Sequence, residues 1–365
     1  MARRKALSKT EKIVKSVVSR KANKILDTYD LIPTSSTLLN LACSDSPYGG
    51  FASGRMVNLI GDSSSGKSII ALTLLALCAN NPKYKNYRLI YDDVENANSF
   101  DLEYLFGKTA PKRIEAPFYD EDDVPIPSQY IEDFHCNIAD ALEDEKPFIY
   151  VLDSFDALDA EQDARKIEEI RNARRKNLKV SGTYSMAKPK KSSEILRNIC
   201  ADLKKTESVL IIISQTRDNI DPISFERKTR SGGNALRFYA THEIWLAKAG
   251  GLKGKGQKRL IGNKVKAKIK KNKLTGKVRE VDLRIYYDYG VDDIVPNIEF
   301  LVNEKHWKKG GNTIKAHDFN MTGQLKSLVA AIENNGYEKE LQLLVAKKWL
   351  EIEEELKLDR KPRFK

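Results

Sequence analysis

Four segments of the chain are apolar almost without interruption: MVNLI (56–60), RLIYDD (88–93), FIYVLDS (148–154) and SVLIIISQT (208–216). A strand with one wet face would alternate apolar and polar residues, so a continuous run calls for cover on both faces. Helical spacing lies between the runs, most plainly in IIALTLLALCA (69–79). Strands and helices in that order predict an α/β fold with a mostly parallel central sheet flanked by helices. Further on, KVKAKIKKNKL (264–274) and EVDLRIYYDYG (280–290) do alternate, and Thr275-Gly276-Lys277 joins them as a hairpin-like turn. The sheet is therefore expected to end in antiparallel strands. Ser and Thr ahead of an apolar run in LIPTSSTLLN (31–40) mark a helix start, and SPYGGFASGR (46–55) reads as a turn-rich loop. From about residue 320 the spacing becomes helical, in GQLKSLVAAIENN and EKELQLLVAKKWLEIEEELK. The chain thus divides into a basic N-terminal arm or oligomerisation segment (1–30), a core (31–300) and a C-terminal helical region (301–365).

Charge changes this picture by adding a partner. Of 365 residues 41% are apolar and 31% charged, with a net charge of +12. The charges are segregated. Residues 248–279 hold 13 Lys or Arg and no acid, residues 165–205 hold 13 basic and 4 acidic side chains, and residues 115–145 hold 11 acids and no Lys or Arg. A purely solubilising surface mixes its signs, whereas basic blocks set apart from an acidic one fit a polyanion bound along defined surfaces. The acidic block itself is most simply a solvated face. Cys43, Cys78, Cys136 and Cys200 are widely spaced, which fits reduced thiols, and the four His show no metal-ligand spacing. No apolar run nears the ~20 residues of a membrane span, and the basic N-terminus lacks an apolar signal core, so a cytoplasmic protein is expected, bacterial or in a phage-infected host, or a nuclear one in a nucleated source.

The chemistry begins at residues 61–68, Gly-Asp-Ser-Ser-Ser-Gly-Lys-Ser. A loop that wraps a polyphosphate needs glycines so that backbone N–H groups can point inward. Gly61 and Gly66 fill those positions around Asp62, Ser63, Ser64 and Ser65. Lys67 is placed to neutralise the β- and γ-phosphates and Ser68 to ligate Mg²⁺, while the helix that opens through Ile69 adds its positive end. The loop lies between an apolar strand and an apolar helix, as this reading requires. Asp153, closing FIYVLD, suits a carboxylate that holds Mg²⁺ through water, or else caps the next turn. Asp92, Asp93 and Glu95 end the second strand, where ligand groups gather in open parallel sheets, and are candidates for activating a water. ATP and Mg²⁺ are the cofactors this set calls for.

GRMVNLIGDSSSGKS, YDDVENA, FIYVLDS, LIIISQT and SGGNALRFYA occur in the order found in RecA-type recombinases, and KIKKNKLTG followed by a strand is similar to that family's last core hairpin. The resemblance covers roughly residues 30–295. Its most specific string is SGGNALRFYA, which separates the chain from helicases and transporters. The basic region before residue 192 and the compact length look closer to phage-type members than to cellular ones.

The resemblance implies roles residue by residue. Glu95 matches the glutamate that activates the attacking water, and Gln215 the glutamine that senses the γ-phosphate and signals to the DNA. Residues 216–231, with Arg217, Ile223, Phe225, Arg227, Lys228 and Arg230, match the second DNA-binding loop, which runs on to Gly232, Gly233 and Asn234. Residues 174–192, with Arg174, Arg175, Lys176 and Lys179, occupy the place of the first DNA-binding loop. Lys271 and Lys273 match lysines that reach the ATP of the neighbouring subunit, and Arg237 and Phe238 match residues that couple subunit contact to nucleotide state. Asp101 and Tyr104 keep the spacing of an adenine contact, two residues further from Glu95 than is usual. The chain departs from the pattern in its long basic segment 160–192, in His242 and Glu243 where an arginine is expected, and in a short N-terminal segment.

Simple physics supports several of these roles. Lys- and Arg-rich loops neutralise phosphates without reading bases, and Ile223 or Phe225 could wedge between bases. Each has a plainer alternative: Lys271 and Lys273 as lysines guarding a strand edge, Tyr104 as a core aromatic, Phe225 as loop packing. The expected function is an ATP-dependent recombinase that coats single-stranded DNA as a filament, pairs it with a homologous duplex and exchanges strands. Single-strand-binding and mediator proteins would be its helpers. The rival reading is a RecA-fold accessory ATPase, a mediator or loader without strand exchange; a hexameric helicase motor is disfavoured by SGGNALRFYA and the KKNK hairpin.

Overall fold

A computed structural model describes residues 30–96, 99–161, 165, 169, 172, 175, 187–218, 228–230, 233–254, 256, 258–360 and 363. The expected N-terminal arm (1–30) lies outside them except for Asp30.

The chain enters with β1 (Leu31–Ile32), which pairs with β2 (Phe51–Ala52) across α1 (Thr37–Ser44). Ser36 caps α1 from extended backbone, its hydroxyl accepting from Leu39 N–H. β3 (Arg55–Gly61) runs into the phosphate loop and α2 (Lys67–Ala79). β4 (Arg88–Asp93) is followed by α3 (Leu102–Phe106), α4 (Ala110–Arg113), β5 (Ile114–Glu115) and a small hairpin of β6 (Phe118–Tyr119) and β7 (Pro125–Ile126). Then come α5 (Ile131–Glu143), β8 (Phe148–Asp153), α6 (Ala187–Lys205), β9 (Val209–Asp218), β10 (Lys228–Arg230) and α7 (Gly233–Tyr239). The later part holds β11 (His242–Lys253), β12 (Leu260–Asn272), β13 (Arg279–Tyr286), β14 (Gly290–Asp292) and α8 (Ile294–Asn303).

One sheet carries the order β14-β13-β12-β11-β3-β9-β8-β4-β5, with β10 pairing β9. From β11 to β5 every neighbouring pair is parallel; from β11 to β14 every pair is antiparallel. The central strands are buried on both faces, α2 against one and α5 with α6 against the other, which is why their sequences do not alternate. β12 and β13 alternate buried and exposed residues, as their spacing predicts.

No local pattern marks β11. Its segment HEIWLAKAGGLK looks too polar for a central strand, yet it pairs with β3 and buries both His242 and Glu243. Burial pushes His242 down to about 4, so the ring is neutral at pH 7, 3.3 Å from the Cys43 carbonyl.

The C-terminal region is corrected in one respect. Ahead of its helices α9 (Leu325–Asn335) and α10 (Glu338–Glu355) stands a three-stranded antiparallel sheet, β15 (Lys308–Gly310), β16 (Thr313–Ala316) and β17 (Met321–Gln324). Most of its residues are exposed, so its apolar signal is confined to Ile314, Ala316 and the half-buried Met321. This region shares the apolar cluster of α1 and α2 through Trp307, Leu328, Leu344 and Trp349. A charged network ties α10 down. The Arg279 guanidinium, 8% exposed, lies 2.6 Å from Asp45 and 2.7 Å from Glu353, donates to the Leu41 carbonyl at the end of α1 and sits 5.2 Å from the centre of the Trp349 ring. Burial raises the Glu353 carboxyl, but hydrogen bonds from Lys277 and Arg279 outweigh it and hold the group below its usual range. Arg279→Ala leaves Asp45 and Glu353 at a half-dry site with only Lys277 among the described residues as a cation partner, for an expected loss of about 3 kcal/mol, measured by urea unfolding.

Candidate functional site

The phosphate loop is shaped by close approach. A Cβ on Gly61 would meet the Leu246 carbonyl of β11 at 2.6 Å and Ser65 Oγ at 2.4 Å. Gly66 takes φ 90°, caps α2 and leaves no room for a Cβ, which would fall 2.3 Å from Ile285 Cδ1. Ser65 Oγ is buried with no hydrogen-bond partner among the described residues. Lys67 Nζ donates to the carbonyls of Gly61 (3.0 Å) and Asp62 (2.8 Å). Burial pushes the Lys67 ammonium down, and the carboxylates of Asp153, Asp62 and Glu95 push it back up. Ile69 turns into the core. The loop opens on a cleft of about 610 Å³ whose phosphate end is formed by Ser63, Ser64, Gly66, Lys67, Ser68, Asp93, Glu95 and Asp153.

Strand register brings these groups to one rim. Asp153 of β8 pairs with Asp93 of β4, and Gln215 of β9 with Gly61 of β3. Burial raises the Asp153 carboxyl, while hydrogen bonds from Ser68 and from Tyr91, whose hydroxyl lies 2.7 Å away, draw it back. Hydroxyl and carboxylate oxygens side by side at the mouth of a phosphate loop suit Mg²⁺, which prefers oxygen ligands. Glu95 Oε1 accepts from Ser154 Oγ at 2.7 Å and from Gln215 Nε2 at 3.1 Å. Gln215 is fixed in turn by its own N–H, which donates to Asp156 at 2.6 Å. Asp92 is elsewhere engaged: buried, it accepts from Ser128 N–H and from the hydroxyls of Ser128 and Tyr150. Asp62 is bound by Lys228 and Thr216, which hold its carboxyl below the usual range. The second residue of the phosphate loop is thereby tied to the ends of both β9 and β10.

The remaining sequence candidates fall in different places. The Asp101 carboxylate caps α3 by accepting from Tyr104 N–H at 2.9 Å, and the Tyr104 ring is 69% exposed, so it is no core aromatic. Lys271 Nζ donates to the carbonyls of Arg237 and Phe238, and Lys273 Nζ to that of Phe238 at 2.7 Å, so both lysines sit at the C-terminal end of α7. Arg237 and Phe238 are exposed there. Arg217 lies 4.0 Å from Asp156, and Arg175 is exposed. Arg230 is in β10, and Gly233 and Asn234 open α7. Arg174, Lys176, Lys179, Ile223, Phe225, Arg227 and Gly232 lie outside the described residues. Several lining groups were missed from sequence: Tyr91, Ser154 and Asp156 at the acidic rim, and Phe100, Asn263, Ile285, Tyr286 and Tyr287 along the rest of the cleft. The run Tyr286-Tyr287 beside Asp288 and Tyr289 was the available signal. Among the described residues no helix is long and apolar enough to cross a membrane.

A family model described as the RecA N-terminal domain matches residues 179–292. The chain is 28% identical over 312 residues to "Protein RecA" of Xylella fastidiosa (strain 9a5c), covering 84% of this chain and 80% of that protein. It is 28% identical to "Protein RecA" of Xanthomonas euvesicatoria pv. vesicatoria (strain 85-10), covering 84% and 81%. To "Protein RecA" of Thermus thermophilus it is 27% identical over 316 residues, covering 85% of this chain and 84% of that one.

Proposed function

Because this chain belongs to the RecA-type family, we propose that it is a DNA-dependent ATPase that forms a filament on single-stranded DNA and catalyses homologous pairing and strand exchange. The observation that carries this reading is the hydrogen bond from Gln215 Nε2 to Glu95 Oε1. It joins the acid best placed to align a water with a side chain on the strand that leads directly into residues 219–227. A group that contacts both the reaction centre and the entry to that segment can pass nucleotide state to DNA affinity, provided the two states are bound differently.

In this reading Lys67, the loop N–H groups and the start of α2 hold the phosphates of ATP. Ser68 and Asp153 would hold Mg²⁺, which would supply positive charge to the phosphates. Glu95 orients and deprotonates the water that attacks the γ-phosphorus, and ADP and phosphate leave. Phe100 and Tyr286 offer faces for the base. Arg217, Lys228 and Arg230 neutralise DNA phosphates, with Lys228 shared between the DNA and Asp62. Lys271 and Lys273 complete the site of an adjoining subunit.

The test is exchange between a circular single strand and a homologous linear duplex with ATP and Mg²⁺. Joint molecules are expected with the wild-type chain and none with Lys67→Ala. DNA-stimulated hydrolysis without joint molecules would replace this function with the accessory one.

A further inference from the structure

Two of the four histidines meet in the C-terminal region, away in sequence from every residue of the nucleotide site. His306 stands just before β15, and the β15–β16 hairpin turns the chain back so that His317 and Asp318, in a short 3₁₀ turn, lie beside it. His306 Nε2 is 2.9 Å and His317 Nε2 3.4 Å from the same oxygen, Asp318 Oδ2, and the imidazole centres are 5.0 Å apart. One ligand atom from each residue falls within 4.8 Å of the other two.

The base of this cluster is buried and packed. Trp307, 1% exposed, donates its indole N–H to Asp318 Oδ2 at 2.8 Å. Its ring packs edge-on against Phe319 at 5.9 Å, and Phe319 stacks on Tyr337 at 5.4 Å. The carboxylate is therefore held by a buried donor, as outer-shell groups hold metal ligands. The imidazoles stand on the open side, His317 half exposed.

We propose that His306, His317 and Asp318 form a binding site for a divalent transition metal of the zinc class. Bonds of about 2.0–2.2 Å to two imidazole nitrogens and one carboxylate oxygen place tetrahedral ligand atoms roughly 3.3–3.5 Å apart, so rotation of the exposed imidazole closes the set. Two nitrogens and one oxygen select Zn²⁺, Co²⁺ or Ni²⁺ over Mg²⁺ and Ca²⁺, which take oxygen ligands. A lone carboxylate oxygen shared by two imidazoles and an indole is crowded with donors, and a cation in place of the imidazole protons relieves that crowding. Bound metal clamps the segment before β15 to the turn after β16, so it braces the three-stranded sheet.

The experiment uses the full chain stripped with chelator and held in excess Mg²⁺, titrated with Co²⁺ and read by its visible absorption, then with Zn²⁺ by calorimetry. Saturation at one equivalent is expected, with the intense visible bands of a tetrahedral site and a raised thermal midpoint. His317→Ala, a half-exposed position, is expected to weaken uptake at least tenfold while its far-UV spectrum in chelator matches wild type; His306→Ala is expected to do the same. His135→Ala is expected to bind as wild type does. No saturable uptake, or uptake unchanged in the His306→Ala/His317→Ala double variant, would overturn the proposal, and neither result bears on ATP hydrolysis.

Discussion

Glu95→Gln is expected to lower DNA-stimulated ATP hydrolysis by about 10²–10⁴-fold, the usual worth of a positioned general base, with nucleotide binding nearly unchanged. The substitution keeps shape and removes basicity. Glu95 Oε1 takes hydrogen bonds from Ser154 and Gln215, and an amide oxygen can accept both, so the rim should survive. What it loses is the ability to take a proton from water beside Lys67 and Asp153. Steady-state turnover on single-stranded DNA, set against the affinity for a fluorescent nucleotide, separates the two effects. Wild-type turnover in the variant would remove Glu95 from the chemistry and leave Asp93, which also lines the cleft, as the base.

The second large effect is expected from Lys271→Ala/Lys273→Ala. If these lysines act on a neighbour's nucleotide as arginine fingers do, hydrolysis should fall by about 10³-fold or more, while ATP binding to the isolated subunit persists. The decisive form of the experiment mixes two dead proteins. Lys67→Ala has an inactive loop but intact lysines; the double variant has the reverse. In a random equal mixture about one interface in four (one-half times one-half) joins a sound loop to sound lysines, so about a quarter of wild-type turnover should return if the site is shared in trans. Lysines that served their own subunit would restore nothing. Full activity in the double variant would leave them as lysines guarding a strand edge and bonded to the end of α7, and no more.

The parallel half of the sheet was legible because burial on both faces leaves an unmistakable mark: β4, β8 and β9 each hold a run of consecutive apolar residues, and that of β3 is broken only by Asn58. β11 hid because His242 and Glu243 are polar residues in buried positions, and no local pattern reports that a histidine will be desolvated. The C-terminal sheet hid for the opposite reason, since strands of three or four residues with exposed side chains carry almost no periodicity. At the site, the phosphate loop declared itself because its chemistry needs eight consecutive residues. Tyr91 did not, since its bond to Asp153 spans 62 positions and exists only once β4 and β8 pair in register. Ser154 and Asp156 were equally silent: their partners arrive from elsewhere, Glu95 from the turn after β4 and Gln215 from β9.

The lysines at the end of α7 bear on how a polymer starts. Lys271 and Lys273 place two ammonium groups on the carbonyls of Arg237 and Phe238, where the negative end of a helix welcomes a cation by about 0.3–1 kcal/mol each. To serve a neighbour they must first leave those carbonyls. If Lys271 and Lys273 do act in trans, a lone subunit carries a small self-contained brake, which every new contact has to release. A brake of about 1–2 kcal/mol amounts to roughly a 5–30-fold rise in the subunit concentration at which assembly begins. On DNA, phosphate contacts made at the same time would offset that cost, whereas subunits that meet in free solution would bear it alone.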